Sequence, residues 1–139
     1  MNLLLLAMSS TFILVGSALS QNNSYDKYGN KTGSYHTNSS GDITSYNKYG
    51  SKIKTYNKTS DGYNIYDKYG SKSGTLRKTT NGYNTYDKYG SRTGSFKTDS
   101  NGTTTHYDKY GNKTGTFKKD STGRITHYDK YGHKIKSYK

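Results

Sequence analysis

The sequence predicts an all-β chain of tandem β-hairpin repeats of 20–21 residues, laid out as a continuous meander or a hairpin solenoid. Three observations carry this reading. Tyr-Asp-Lys-Tyr-Gly begins at Tyr25, Tyr66, Tyr86, Tyr107 and Tyr128, and Tyr-Asn-Lys-Tyr-Gly at Tyr46, with spacings of 21, 20, 20, 21 and 21 residues. A second glycine follows each of the first five starts sixteen residues on, at Gly41, Gly62, Gly82, Gly102 and Gly123. The segments between glycines are rich in Tyr, Thr and Ile, which suit a pleated, half-buried surface, and they carry no 3.6-residue apolar stripe.

The first element stands apart from the rest. MNLLLLAMSSTFILVGSALS holds two apolar runs, Leu3 to Ala7 and Phe12 to Val15, then small residues up to Ser20. This is the pattern of a secretory signal peptide over residues 1–20, with Ala18-Leu19-Ser20 before Gln21 as the expected cut and only the α-amino group as n-region charge. Ser9, Ser10 and Thr11 interrupt the run, which is shorter than the ~20 residues of a membrane span, so no transmembrane segment is expected after cleavage.

Residues 21–139 form the repeat region, divided as 25–45, 46–65, 66–85, 86–106, 107–127 and a partial unit 128–139. In each unit Asp or Asn opens and Gly closes a type I turn, with the glycine in the left-handed conformation of a bulged hairpin. Asp-Gly or Asn-Gly around Gly62, Gly82 and Gly102 supplies a second tight turn. A basic residue follows the first glycine by two places (Lys31, Lys52, Lys72, Arg92, Lys113, Lys134). A large side chain stands ten residues beyond each start, at Tyr35, Tyr56, Leu76, Phe96, Phe117 and Tyr138. By strand parity Tyr35 shares a face with Gly33 while Thr32 points away, and Tyr25 is expected to start the packing register that Tyr35 completes. Two copies replace the Thr-Gly pair by Ile53-Lys54 and Ile135-Lys136. The result is roughly eleven or twelve short strands.

Composition sets the alternative. After residue 20 the chain has no Ala, Val, Met, Cys, Pro, Trp or Glu, and its apolar content is five Ile, Leu76, two Phe and all seventeen tyrosines. Low hydrophobicity with high net charge is also the mark of disorder, so disorder of part of the chain competes with the hairpin array. The 22 basic and nine acidic side chains give +13. For an exported chain this favours an anionic or mineral surface, a bacterial envelope or an anionic polysaccharide, rather than nucleic acid, as partner. The exposed edges of a meander would add self-association.

Catalysis is poorly served. Asp26, Asp67, Asp87, Asp108 and Asp129 share one turn position, and His36, His106, His127 and His133 share none in all copies. No nucleophile elbow, phosphate loop or metal-ligand cluster is present, so the chain reads as non-enzymatic, without cofactor or metal. Sequons at Asn22, Asn30, Asn38, Asn57, Asn101 and Asn112 are candidate N-glycosylation sites. The surface-binding candidates are the couples Lys27-Tyr28, Lys48-Tyr49, Lys68-Tyr69, Lys88-Tyr89, Lys109-Tyr110 and Lys130-Tyr131, which project from the turns as a row of cation and phenol.

With lysine abutting tyrosine in a secreted, basic, Tyr/Lys/Gly-rich repeat, the chain resembles in composition the adhesive proteins of marine holdfasts, the mussel foot type. That resemblance implies hydroxylation to DOPA, with Tyr28, Tyr49, Tyr69, Tyr89, Tyr110 and Tyr131 as candidates, and a structural or adhesive role in extracellular matrix. Locally, GRITHYDKYG at Gly123 to Gly132 is similar to the tyrosine-aspartate repeats of bacterial surface and toxin-shell proteins. The aromatic hairpin period is also similar to choline-binding cell-wall repeats, without their tryptophan cage. These likenesses imply β-hairpins and, as the alternative function, binding of a cell-surface or envelope glycan.

Overall fold

The computed structural model describes residues 4–8, 11–15 and 20–139. Strands β1 (Leu4–Met8) and β2 (Thr11–Val15) pair antiparallel as a two-stranded sheet of their own. Ala18 and Leu19 of the expected cleavage site lie outside the described residues.

The repeat region folds entirely as antiparallel strands: β3 (Ser20–Asp26), β4 (Lys31–Thr37), β5 (Ile43–Asn47), β6 (Lys52–Thr59), β7 (Gly62–Asp67), β8 (Lys72–Thr79), β9 (Gly82–Asp87), β10 (Arg92–Thr98), β11 (Thr104–Asp108), β12 (Lys113–Lys119), β13 (Ile125–Asp129) and β14 (Lys134–Tyr138). The all-β hairpin meander read from the repeats is therefore correct, and no helix forms among the described residues. The expectation of an open meander or solenoid needs correction, because β14 pairs with β3 and the twelve strands close into a barrel. Lys136, Ser137 and Tyr138 lie opposite Asp26, Tyr25 and Ser24, and Asn23 and Lys139 exchange N–H···O bonds of 2.8 and 3.0 Å. The edges on which self-association was expected are paired with each other.

The repeat itself supplies the curvature. At each repeat turn the aspartate or asparagine carbonyl accepts from the glycine N–H, as in Gly29 N to Asp26 O at 3.1 Å, and Gly29 takes φ +90°. This is the type I turn with a glycine bulge expected from Asp and Gly. A second irregularity follows in the same hairpin: the register slips by one residue beside Thr32, Ile53, Ser73, Thr93, Thr114 and Ile135. Bulges bend a strand and increase its twist, and six at one level of a meander coil it round on itself. Glycine follows the slip in four copies, where backbones approach closely, and Lys54 and Lys136 follow it in the other two; a Cβ on Gly115 would stand 2.6 Å from the Tyr128 carbonyl oxygen.

The second turns are of two kinds. Asn38–Gly41, Asp99–Gly102 and Asp120–Gly123 repeat the glycine-bulged type I geometry, whereas Ser60-Asp61 and Thr80-Asn81 are two-residue loops with Gly62 and Gly82 already paired as strand residues. The 21-residue spacings contain the longer turn and the 20-residue spacings the shorter, so the turn type sets the period.

Two rings of side chains fill the barrel. In the ring nearer the repeat turns, Ser24, Ser45, Ile65, Thr85, His106 and His127 pair with Gly33, Lys54, Gly74, Gly94, Gly115 and Lys136. In the next, Asn22, Ile43, Tyr63, Tyr83, Thr104 and Ile125 pair with Tyr35, Tyr56, Leu76, Phe96, Phe117 and Tyr138. Eleven of these are the buried apolar core. The expected role of Tyr25 is corrected: Tyr25 pairs with Ser137 and alternates with buried Ser24, so it and its counterparts lie on the outer wall.

Gly115→Ala should lower stability by roughly 1–3 kcal/mol in urea unfolding followed by far-UV circular dichroism, since the adjacent carbonyl is backbone and cannot rotate away. Deleting Lys134–Lys139 should expose the edges of β13 and β3 and give concentration-dependent oligomers by light scattering; a stable monomer would contradict closure.

Candidate functional site

Because every Tyr-Asp/Asn-Lys-Tyr-Gly turn joins an odd strand to the next even one, antiparallel pairing puts all six at one end of the barrel. The second turns, the start of β3 and the end of β14 occupy the other end.

Each turn is held by its first side chain. Asp26 Oδ1 accepts from the N–H of Tyr28 and of Asn30, both at 2.9 Å, and Asn47, Asp67, Asp87, Asp108 and Asp129 repeat the pair. The Asn30 side-chain amide also donates to Asp26 Oδ2, at 3.1 Å, and the Asn112 amide to Asp108 at 3.0 Å. These amides, and then the backbone N–H groups, hold the Asp26 and Asp108 carboxyls below the usual carboxylate range. The Asp129 carboxyl is lowered chiefly by the His133 N–H; its Oδ2 also meets His133 Nδ1 at 3.1 Å.

The two central turn residues are left facing solvent. Tyr28, Tyr49, Tyr69, Tyr89, Tyr110 and Tyr131 are 74 to 81 % exposed, the most exposed large hydrophobic residues among those described. Lys27, Lys48, Lys68, Lys88, Lys109 and Lys130 each set Nζ over the neighbouring ring, 4.8 to 4.9 Å from its centroid. All twelve surface-binding candidates thus form one crown at one rim. No family model, curated protein or solved structure matches the chain. At the seam between first and last hairpins, Asp26, Lys27, Tyr28, Asp129, His133, Lys134 and Ile135 line an open cleft of about 560 Å³.

The sequons fall in different settings. Asn101 sits at a turn tip, Asn57 is exposed on β6, and Asn38 opens a turn with its Oδ1 accepting from Ser40 and Asp42. Asn30 and Asn112 hold turn carboxylates, while Asn22 pairs with buried Tyr35 on the inner ring.

Two sets of residues have roles that the sequence reading did not assign. His106 and His127 stack inside the barrel on Phe96 and Phe117, with centroids 4.3 and 4.0 Å apart. Burial lowers both imidazoles; that of His127 falls to about 4, helped by Lys136 and then His106. Their shared place before a Tyr-Asp was the available signal. On the outer wall, Arg77, Lys97 and Lys118 lie over Tyr86, Tyr107 and Tyr128, 5.1, 5.6 and 5.8 Å from the ring centroids. Among the described residues no His, Asp or Glu group converges to hold a metal ion.

The imidazole shift has a definite sign. A histidine kept neutral on folding stabilises fully above its unfolded pKa, ~6.5, and less as pH falls through that window towards about 4. The melting temperature should drop by several degrees from pH 7.5 to pH 4.5, and His127→Phe, which keeps a ring against Phe117, should flatten the profile. At the alkaline side, burial raises the Tyr63 and Tyr83 phenols to about 12 and lifts Tyr56 well above its ordinary value. Stability should therefore fall as pH rises above ~10, with a late phenolate absorbance step that coincides with loss of the strand spectrum.

Proposed function

We propose that this chain is a secreted, non-enzymatic structural and adhesive protein that adsorbs through its crown to anionic or mineral surfaces. The observation that carries the reading is the presentation of six lysine-tyrosine couples at one end of a closed barrel, every phenol exposed and every ammonium over its ring. One exposed couple contributes only ~0.5–1 kcal/mol. Held on one scaffold, the six engage a plane together, and each contact raises the effective concentration of the next. The turn Asp and Asn side chains lock the backbone beforehand, so adsorption orders little besides side chains. The net charge of +13 supports attraction to negative surfaces, and the leader supports export. The resemblance to holdfast proteins adds tyrosine hydroxylation at Tyr28 and its five counterparts, where the rings stand open to a modifying enzyme.

A variant with all six couples replaced by Ser-Ser should keep its strand spectrum and lose most adsorption to silica in a quartz microbalance at physiological salt. A second variant, with Lys58, Lys78, Lys97, Lys118, Lys119 and Arg124 changed to Gln, removes the same charge elsewhere and should adsorb nearly as the parent does. Equal loss in both would assign adsorption to net charge and defeat the proposal.

A further inference from the structure

The wall of the barrel departs from its own repeat in a way that the crown does not explain. The residue eleven places after each repeat start is outward-facing, since it follows the buried large residue. In the first two copies it is His36 or Asn57; in the next three it is Arg77, Lys97 or Lys118, and in the sixth it is Lys139. Arg77, Lys97 and Lys118 each reach diagonally across the strand pair to lie over the first tyrosine of the next repeat, which is half-buried on the wall. On the other side of the same tyrosines, Arg92, Lys113 and Lys134 stand in register opposite Tyr86, Tyr107 and Tyr128. Each ring is thus flanked by two cations. The three units sit on consecutive hairpins from β8 to β14 and form a stripe across the strands, which at ~4.8 Å per strand runs roughly 30 Å.

We propose that this stripe is a second binding site, separate from the crown, for one strand of a linear anionic polysaccharide carrying carboxylate or sulfate groups. A line of six cations at two alternating offsets matches anionic groups spaced along a flexible polymer better than it matches a flat solid, because the wall of a barrel is convex. Phenol hydroxyls between the cations offer donors and acceptors to sugar hydroxyls. Single-stranded nucleic acid shares the need for basic and aromatic groups but binds by stacking bases on open ring faces. Here each ring already carries a guanidinium or ammonium over it, so a base stacking there would have to displace it, whereas a carboxylate or sulfate binds that cation where it stands. The secretory leader points to the same side of the membrane as extracellular glycans.

The test is titration calorimetry of the full chain with polygalacturonate and heparin fragments, the carboxylated and the sulfated probe, and with a single-stranded oligonucleotide of matched charge. R77Q/K97Q/K118Q should weaken binding of at least one polysaccharide about tenfold or more, with strand content unchanged because all three side chains are exposed. K58Q/K78Q/K119Q removes the same charge from the opposite end of the barrel, beside the second turns, and should bind that polysaccharide within about twofold of the parent. Equal weakening by the two triples would overturn the site in favour of diffuse charge. An oligonucleotide bound as tightly as either polysaccharide would overturn the ligand class. Loss of silica adsorption only in the crown variant would leave the wall site standing, so failure of either reading can be told from failure of the other.

Discussion

A side-chain oxygen that accepts two backbone N–H groups in each repeat turn is the contact on which the remaining architecture depends. Asp26 Oδ1 ties down Tyr28 and Asn30, and its five counterparts do likewise. That pair of bonds stabilises the type I turn, puts the following glycine at positive φ and sets where the next strand enters the ladder. The register slip two residues later then recurs at one height in all six hairpins, and repeated bending at one height is what a closed barrel requires. The same bonds spend the backbone polarity of the turn internally, so the lysine and tyrosine at its centre are free to face outward.

Closure also resolves a packing difficulty. A chain with one large apolar side chain per even strand cannot build a two-layer aliphatic core, because an isolated hairpin would leave that side chain wet on its inner face. In the barrel the large residues gather in one buried cluster, with the rings of Tyr35 and Tyr138, on the strands either side of β3, 6.4 Å apart, and His106 and His127 complete the fill by stacking on Phe96 and Phe117. The imidazoles and inner phenols are uncharged at neutral pH for the same reason that they can be buried, which couples the stability of the barrel to both ends of the pH scale.

Tyrosine does three jobs in three places. Tyr35, Tyr56, Tyr63, Tyr83 and Tyr138 are core; Tyr86, Tyr107 and Tyr128 lie half-buried on the wall under cations; Tyr28 and its counterparts stand open on the rim. The residue is suited to all three because its ring is apolar and its hydroxyl is not. The crown is the same in every repeat, which fits the plane proposed as its partner, and the wall stripe covers only part of the circumference, which fits the single linear chain proposed for it.

The six pentapeptides, read without coordinates, are enough to establish the strands, the glycine-bulged turns and the exposure of Lys27-Tyr28 and its copies, because each of these is decided within a few residues by φ preference, side-chain capping and period-two alternation. Where local rules end, the sequence is silent or misleading. Tyr25 and Tyr35 look alike in the repeat, and only the register slip between them shows that one faces the wall and the other the lumen. Arg77 and Tyr86, like Phe96 and His106, meet across strands, so their contacts depend on ladder offset rather than spacing. Whether twelve strands stay open or join as a ring rests on β14 finding β3, a pairing between the two ends of the repeat region that accumulates from small bends and is written in no single repeat.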